Sequence, residues 1–227
     1  MERLADDDLF TLPMTFMGAP YGRPGPNNKA AILGIPFDCG TNMRIGARGG
    51  PDSVRQQSAL MRRFNPTNAD FDPVAALGLV DCGNVKLTPS KIVDAFERTE
   101  QAVDRIVQAG AVPVTIGGDG SVTVPVARAV GKKYPKMAAL HIDSHTDSYP
   151  YGEDEKYNSA TQFTHVAEEG LIDPEFSWHV GIRSTTYAQN VVPRAMSLGY
   201  KIVSLDELIR GGFAQRMAEF RDKVGKR

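Results

Sequence analysis

Six short, continuously apolar runs recur along this chain of 227 residues, and they constrain its fold more than any other feature. Each run is rich in Val, Ile, Leu or Ala and ends at Gly, Asp, Ser or another polar residue. Apolar runs without strict alternation are typical of strands that are buried on both faces of a parallel sheet. The sequence therefore predicts six such strands, at residues 30–35, 76–82, 111–116, 137–142, 178–182 and 200–205.

Helical patterns lie between these runs. The clearest covers residues 90–109, where Ile92, Phe96 and Val103 recur near helical spacing between a Pro-Ser entry and Gly110. Strand and helix thus alternate along the chain, which predicts an α/β fold with a mainly parallel sheet and right-handed crossovers. Further helices are predicted at residues 121–131, 161–169, 188–198 and 213–224.

Composition excludes several classes of protein. The 26 Lys and Arg residues nearly balance the 27 Asp and Glu residues, so the net charge of −1 provides no field that would attract nucleic acid or an anionic membrane. No apolar run approaches the roughly 20 residues of a membrane span, and an acidic start argues against a signal peptide. Two cysteines, Cys39 and Cys82, cannot build a disulfide framework. We therefore expect a cytoplasmic protein without nucleic-acid or membrane partners.

Prolines and glycines punctuate the start of the chain, so residues 1–28 are expected to form an extended N-terminal arm. No linker or internal repeat follows the arm. Residues 29–227 are expected to form a single α/β domain.

The strongest chemical signal follows the run at 137–142. Asp143, His145 and Asp147 are spaced at i, i+2 and i+4, so an extended backbone would point all three side chains to one side. Two carboxylates and an imidazole form a hard, mixed oxygen and nitrogen donor set that suits Mn²⁺ and its neighbours. The alternative is a hydrogen-bonded polar strand end that holds no metal.

Residues 117–121, with the sequence GGDGS, allow two interpretations. Glycines between a strand and a helix let backbone N–H groups approach an anion, and the stretch looks like the phosphate loop of NAD and diacylglycerol kinases. The other interpretation is a tight turn in which Asp119 caps the following helix.

Other polar residues near the strand ends carry weaker signals. His165 and His179 lie in apolar surroundings and are expected to be core histidines. Arg44 and Arg48 follow the first strand, where they would bind a substrate carboxylate or form a salt bridge that orders the loop. Cys39 has no identifiable base beside it and is not expected to be a nucleophile.

In their order along the chain, these segments resemble the ureohydrolase family, which includes arginase, agmatinase and guanidinobutyrase. GIPFD at 34–38, with GAR at 46–48 and GP at 50–51, looks like the family's GxPFDxG…PGAxxGP segment. GGDGS sits where the family has GGDHS, and HIDSHTD at 141–147 is similar to its DAHxD motif, with Ser144 for the usual Ala. Residues 169–173 and 180–183 also look like agmatinase segments.

The resemblance implies a three-layer α/β/α, arginase-like fold that binds two Mn²⁺ ions, or Ni²⁺ in some members. A metal-bridging hydroxide would attack the guanidinium carbon of a small guanidino substrate and release urea and an amine. Asp143 would bridge or ligate the metals, His145 would ligate one ion and Asp147 the other. Asp119 and His141 would support these ligands or the substrate loop, and the chain would assemble as a homo-oligomer, a trimer or hexamer.

The sequence also departs from the family pattern. Gly120 stands where the family has a histidine ligand, and Ser159 stands at the expected position of a proton-shuttling histidine, so no catalytic residue is assigned. The SFDxDxxDP segment, which holds the last two ligands, has no counterpart. The family's last strands insert beside the metal-bearing strands, so we expect an incomplete domain whose sheet is open in the middle, with poor solubility or dependence on a partner.

Two functional hypotheses remain. The first is a metal-dependent, agmatinase-like hydrolase of a linear guanidino C–N bond. The alternative is a non-catalytic homologue that acts as a fragment, a partner subunit or a small-molecule binder. Nucleotide chemistry at residues 117–121 is a third, weaker hypothesis.

Overall fold

The computed structural model describes residues 13–64, 71–153 and 156–225. In these ranges six strands alternate with helices on both sides. The strands are β1 (Ala30–Ile35), β2 (Val80–Asn84), β3 (Val112–Gly117), β4 (Leu140–Ile142), β5 (Trp178–Ile182) and β6 (Lys201–Ser204). The helices are α1 (Gly50–Ser58), α2 (Pro73–Leu77), α3 (Ile92–Gln108), α4 (Thr123–Gly131), α5 (Gln162–Glu168), α6 (Val191–Ser197), α7 (Leu205–Gly211) and α8 (Phe213–Val224).

All strand pairs are parallel, but the strands form two separate three-stranded sheets. The first sheet has the order β2-β1-β3 and the second the order β4-β5-β6. Ala30 pairs with Val112 across β1 and β3, and Leu140 pairs with Trp178 across β4 and β5. The predicted α/β class, its parallel pairing and its helical layers are confirmed.

The two sheets stop at β3 and β4, and each of these strands pairs on one side only. Their apolar side chains are correspondingly exposed: Val112 is 63% and Ile142 63% accessible, and Val114 and Leu140 are partly accessible. By contrast, all six residues of β1 are buried because it is paired on both sides. β3 and β4 are therefore strands whose apolar side chains are exposed.

The prediction of a strand at residues 76–82 is wrong for the first half of that range. The chain instead forms the short helix α2 there, because the side chain of Asp72 accepts hydrogen bonds from the amides of Val74 and Ala75, and Pro73 suits a first helical turn. Gly78 then ends the helix in a left-handed conformation, with φ of 53°. The strand β2 begins only at Val80.

The long helix α3 is the best predicted helix, since it occupies residues 92–108 of the expected 90–109. Its apolar residues Phe96, Val103 and Ile106 are buried in the main core, and Thr99 closes the same face with a hydrogen bond to the carbonyl of Ala95. Three helices, α1, α2 and α7, had no helical counterpart in the prediction.

Residues 1–12 of the expected N-terminal arm lie outside the described residues. The part from residue 13 contains one 3₁₀ turn, Phe16–Gly18, and is fastened to the domain by backbone amides. The Phe16 amide donates to Asp81 at 2.8 Å, and the Met17 amide donates to the Ser58 hydroxyl at 2.9 Å.

A buried ion pair fixes α1 against β2. The guanidinium of Arg55 donates two hydrogen bonds of 2.8 Å to the two carboxylate oxygens of Asp81. The same guanidinium also reaches the side chain of Asn84 and the carbonyl of Gly83. Both charges are thus paired inside the protein, where an unpaired charge is costly.

Candidate metal centre

The residues after β4 do not continue as an extended strand. The strand ends at Ile142, and Asp147 has a φ of 48°, in the left-handed region that is strained for a residue with a side chain. The extended backbone expected for residues 143–147 is therefore wrong. Strained backbone of this kind concentrates at functional sites.

The bend brings His141, Asp143 and Asp147 together. One ligand atom from each of the three lies within 4.8 Å of the others. His141 Nε2 is 3.9 Å from Asp143 Oδ2 and 3.6 Å from Asp147 Oδ2. We call these three residues the carboxylate–histidine cluster; within the described ranges it is the one group of at least three such side chains with metal-ligand spacing.

His145 lies beside this cluster rather than in it. Its Nδ1 is 3.7 Å from Asp143 Oδ1 and 3.1 Å from the Ser144 hydroxyl. Its Nε2 lies 3.3 Å from the carbonyl oxygen of Thr185, and the side chain is 39% accessible. His145 is thus placed next to the shared carboxylate of Asp143, on the side that faces solvent.

A chain of hydrogen bonds orients the ring of His141. Its Nδ1 is 2.8 Å from Nδ1 of His179, whose Nε2 is 3.4 Å from the hydroxyl of Ser148, which in turn donates to the carbonyl of Thr146. Burial lowers the pKa of His141 to about 4 and that of His179 to about 3, so both rings are neutral near pH 7. If His179 Nε2–H donates to Ser148, then His141 Nδ1–H donates to His179, and the lone pair of His141 Nε2 faces the two carboxylates.

The two carboxylates differ in their electrostatics. Burial raises the pKa of Asp143, but the hydrogen bond from the His145 amide (2.8 Å) and the nearby imidazoles outweigh it, so the pKa lies below its usual value. Burial, reinforced by the charge of Asp143, raises the pKa of Asp147 to about 7. One carboxylate is therefore readily ionised, whereas burial holds the other near neutrality.

The GGDGS segment forms the tight turn that was one of its two interpretations. Asp119 is buried and accepts hydrogen bonds from the amides of Ser121 (2.9 Å) and Gly40 (2.8 Å), so it caps the following turn and ties β3 to the loop after β1. A Cβ at Gly118 would lie 1.6 Å from the carbonyl oxygen of Phe37, which explains the glycine. The Asp119 side chain points to these amides.

Gly120 and Ser159, the two departures from the family pattern, lie close to each other. A Cβ added at Gly120 would be 2.6 Å from Nε2 of Gln162 and 3.2 Å from the carbonyl oxygen of Ser159. The amide of Gln162 thus fills the space into which a side chain at position 120 would extend. Gln162 Nε2 also donates to Asp147 Oδ2 at 2.8 Å.

A cavity of about 570 Å³ opens beside the cluster. Asp147, His145 and Ser159 are among its lining residues. Tyr149 and Tyr187 stack on each other at a centroid distance of 4.5 Å and line the same cavity. Polar groups beside aromatic rings are a usual arrangement for a small-molecule site.

The remaining candidates are structural. Arg48 forms a salt bridge with the buried Asp38, so the loop-ordering interpretation is supported for this arginine. His165 is buried and its Nε2 hydrogen-bonds to the carbonyl of Lys156, and His179 is buried beneath His141. Both are core histidines, as predicted. Cys39 is exposed.

Two residues that sequence reasoning missed complete this environment. His179 was predicted only as a core residue, whereas it also orients His141. Gln162 carried no signal of its own. The sequence signal that could have indicated it is Gly120, because a glycine leaves a space that a neighbouring side chain can fill.

The structure is thus a parallel α/β framework with a carboxylate–histidine cluster, a donor set of the kind that hard divalent cations prefer, at the carboxyl end of a strand. The sequence from residue 28 to residue 227 matches the arginase family. The chain belongs to that family.

Individual relatives agree with this assignment. The chain is 34% identical over 198 residues to the mitochondrial agmatinase of Gallus gallus, and the match covers 86% of this chain and 57% of that protein. It is also 34% identical over 198 residues to the guanidinobutyrase of Pseudomonas aeruginosa, with 86% and 61% covered. The chain thus spans about 60% of the length of these curated relatives.

Solved structures show the same fold. The proclavaminate amidinohydrolase of Streptomyces clavuligerus has a TM-score of 0.87 and 30% identity, and the match covers 96% of this chain and 71% of that one. A hypothetical agmatinase from Burkholderia thailandensis has a TM-score of 0.84 and 27% identity, and the match covers 97% of this chain and 68% of that one.

Among the helices of the described residues, none combines the length and the hydropathy that a membrane span requires.

The cluster passes a chemical test for a cation. It offers two carboxylates and one neutral imidazole whose donor atoms lie within 4.8 Å of one another. The buried amide oxygen of Gln162 has no hydrogen-bond partner, although its nitrogen is bonded to the same Asp147. These donors fit one hard divalent cation such as Mn²⁺.

Proposed function

We propose that this chain carries the metal-binding part of a hydrolase that cleaves a linear C–N bond of a guanidino compound and releases urea and an amine. The observation that supports the proposal is the carboxylate–histidine cluster at the end of β4, open to a cavity, in a member of the arginase family.

The residues of the cluster would hold the cation through oxygen and nitrogen atoms. His141 presents a neutral Nε2, because its Nδ1 is engaged by His179. Asp143 supplies an ionised carboxylate, and Asp147 supplies a second one once its proton is displaced by the cation. A bound divalent cation supplies Lewis-acid activation of water. Mn²⁺ is the proposed metal, with Ni²⁺ as the alternative.

A second ion, which the family resemblance implies, would lie on the His145 side of Asp143. His145 is the further nitrogen donor there, with Nδ1 3.7 Å from Asp143 Oδ1. The described residues offer fewer donors on this side than around the first cation. We therefore assign the stronger binding to the carboxylate–histidine cluster.

The cavity has features that suit a guanidinium group. Tyr187 is exposed, and the ring face that does not stack on Tyr149 would attract a planar cation. Asp147 also lines the cavity, and its carboxylate would accept N–H donors from the guanidinium group. The substrate class is thus a small guanidino compound.

The experiment is a metal titration combined with a urea-release assay. Agmatine, 4-guanidinobutyrate and guanidine are incubated with the chain at increasing Mn²⁺ or Ni²⁺, and Asp143→Asn serves as the inactive control. Metal-dependent urea release that disappears in the variant supports the proposal. Cation binding without urea release from any of the three supports the non-catalytic homologue instead.

Cytoplasmic location and assembly into a homo-oligomer, a trimer or hexamer, belong to the same proposal. The exposed apolar residues Val112 and Ile142 at the edges of β3 and β4 give such a chain surfaces to cover. Mass photometry of the purified chain would measure its assembly state.

A further inference from the structure

A buried amide beside the cluster has an oxygen without a partner. Gln162 is the first residue of α5 and is only 3% accessible. Its nitrogen donates to Asp147, whereas its Oε1 is buried and makes no hydrogen bond in the described structure. A buried acceptor without a partner has lost its hydrogen bonds to water and gained none in return, so an oxygen of this kind calls for a partner.

The position of this amide is set by Gly120. Because position 120 has no Cβ, the amide of Gln162 reaches a place that lies 2.6 Å from where that Cβ would be. Any larger residue at position 120 would displace the amide. The glycine and the glutamine therefore form a matched pair, in which one residue leaves the space and the other fills it.

The amide group also lies within one hydrogen bond of the cluster. Asp147 Oδ2, which accepts from Gln162 Nε2, is the same atom that lies 3.6 Å from His141 Nε2. Amide oxygens are hard, neutral ligands that divalent cations such as Mn²⁺ and Mg²⁺ accept alongside carboxylates.

We propose that Gln162 is a fourth ligand of the cation site: its Nε2, which lies in the space that Gly120 leaves, keeps its hydrogen bond to Asp147 Oδ2, and its Oε1 binds the cation beside that carboxylate. This inference rests on the proposed metal binding. It adds an oxygen ligand from α5 to a site otherwise built by β4 and the segment that follows it. It also gives the unpaired Oε1 a partner.

Two substitutions separate a ligand from a residue that only positions Asp147. Gln162→Leu removes both the oxygen and the N–H donor. Gln162→Glu removes the N–H donor but keeps an oxygen, and a carboxylate is a stronger ligand for a hard cation. Gln108→Leu is the matched control, since Gln108 donates to Asp104 in the same way on the exposed face of α3.

The test measures Mn²⁺ dissociation constants of the full chain by isothermal titration calorimetry, with circular dichroism to show that each variant is folded. Co²⁺ absorption spectra report the coordination directly. We expect Gln162→Leu to bind Mn²⁺ about 10–100-fold more weakly with an altered Co²⁺ spectrum. We expect Gln162→Glu to bind at least as tightly as the unaltered chain, and Gln108→Leu to bind equally well.

Each other result overturns the inference. If Gln162→Leu binds as tightly as the unaltered chain, Gln162 is not a ligand. If Gln162→Glu is weakened as much as Gln162→Leu, the residue acts through its N–H bond to Asp147. If the unaltered chain binds no cation, the proposed function fails together with this inference, whereas the first two results leave the proposed function standing.

Discussion

Replacing Arg55 by methionine tests how far the fold depends on one buried charge pair. Arg55 and Asp81 have side chains that are 6% and 0% accessible, and their two hydrogen bonds of 2.8 Å join α1 to β2. Methionine keeps much of the apolar stem and the volume. The substitution therefore removes the positive charge and leaves the buried carboxylate behind.

The size of the effect follows from what Asp81 retains. Without the guanidinium, its carboxylate keeps only the N–H donors of Phe16 and Gly83. Breaking a buried pair in this way costs about 3–5 kcal/mol, because the remaining charge is desolvated without a partner. Arg55 also holds Asn84 and the Gly83 carbonyl, so we place the loss of unfolding free energy within that range.

The assay is urea denaturation followed by circular dichroism. Arg98→Met is the matched control, since Arg98 pairs with Asp94 on the exposed surface of α3, where such a pair contributes about 0.3–0.5 kcal/mol. Burial raises the pKa of Asp81, and Arg55 counteracts this so that the net pKa is low. The penalty of Arg55→Met should therefore shrink as the pH falls and the carboxyl is protonated.

A loss below about 1 kcal/mol, or one equal to that of the control, would refute the reasoning, because it would mean that the carboxylate finds water or another partner. A penalty that stays constant between pH 7 and pH 4 would refute the electrostatic explanation and leave only lost packing.

Three further outcomes are expected. Gly118→Ala should destabilise the chain by about 3 kcal/mol in urea denaturation, since its Cβ would meet a backbone oxygen at 1.6 Å, and a loss within about 0.5 kcal/mol would contradict this. The hydrogen bond from Arg48 holds the pKa of Asp38 at about 2, below 3.8, so this pair stabilises the fold above pH 4 and its contribution disappears towards pH 2. Arg48→Ala should therefore remove this part of the pH dependence of the unfolding free energy. An unchanged dependence on pH would contradict this expectation. Val114→Lys at the open edge of β3 should reduce concentration-dependent self-association in light scattering, whereas Val93→Lys, on the surface of α3, should not; equal effects would contradict a role for the strand edge.

The sequence predicted the framework well, because continuous apolar runs and parallel strands are tightly linked. β1 and β5 were predicted to the residue, since each is a short run dominated by apolar residues. Residues 76–82 were mispredicted because the capping side chain of Asp72 and the left-handed Gly78 turn an apolar run into a helix. Local capping outweighed apolar periodicity there.

The site was only partly visible in the sequence. Spacing alone indicated Asp143, His145 and Asp147, on the assumption of an extended backbone. The bend after Ile142 instead places His141 within reach of both carboxylates and turns His145 towards the side of the site. A left-handed φ at an aspartate cannot be deduced from spacing, because tertiary packing imposes it.

The contributions of His179 and Gln162 come from other elements, β5 and α5. Their distance from the cluster in the sequence gave no sign of contact. The sequence showed that a side chain was missing at Gly120, and the fold shows which residue lies in its place.

Calorimetric titration of the unaltered chain with Mn²⁺ tests the central claim most directly. The account predicts saturable binding of one Mn²⁺ per chain at the carboxylate–histidine cluster, lost in Asp143→Asn and retained in Asp94→Asn on the surface of α3. Absence of saturable binding by a folded chain, or equal binding by Asp143→Asn, would contradict it.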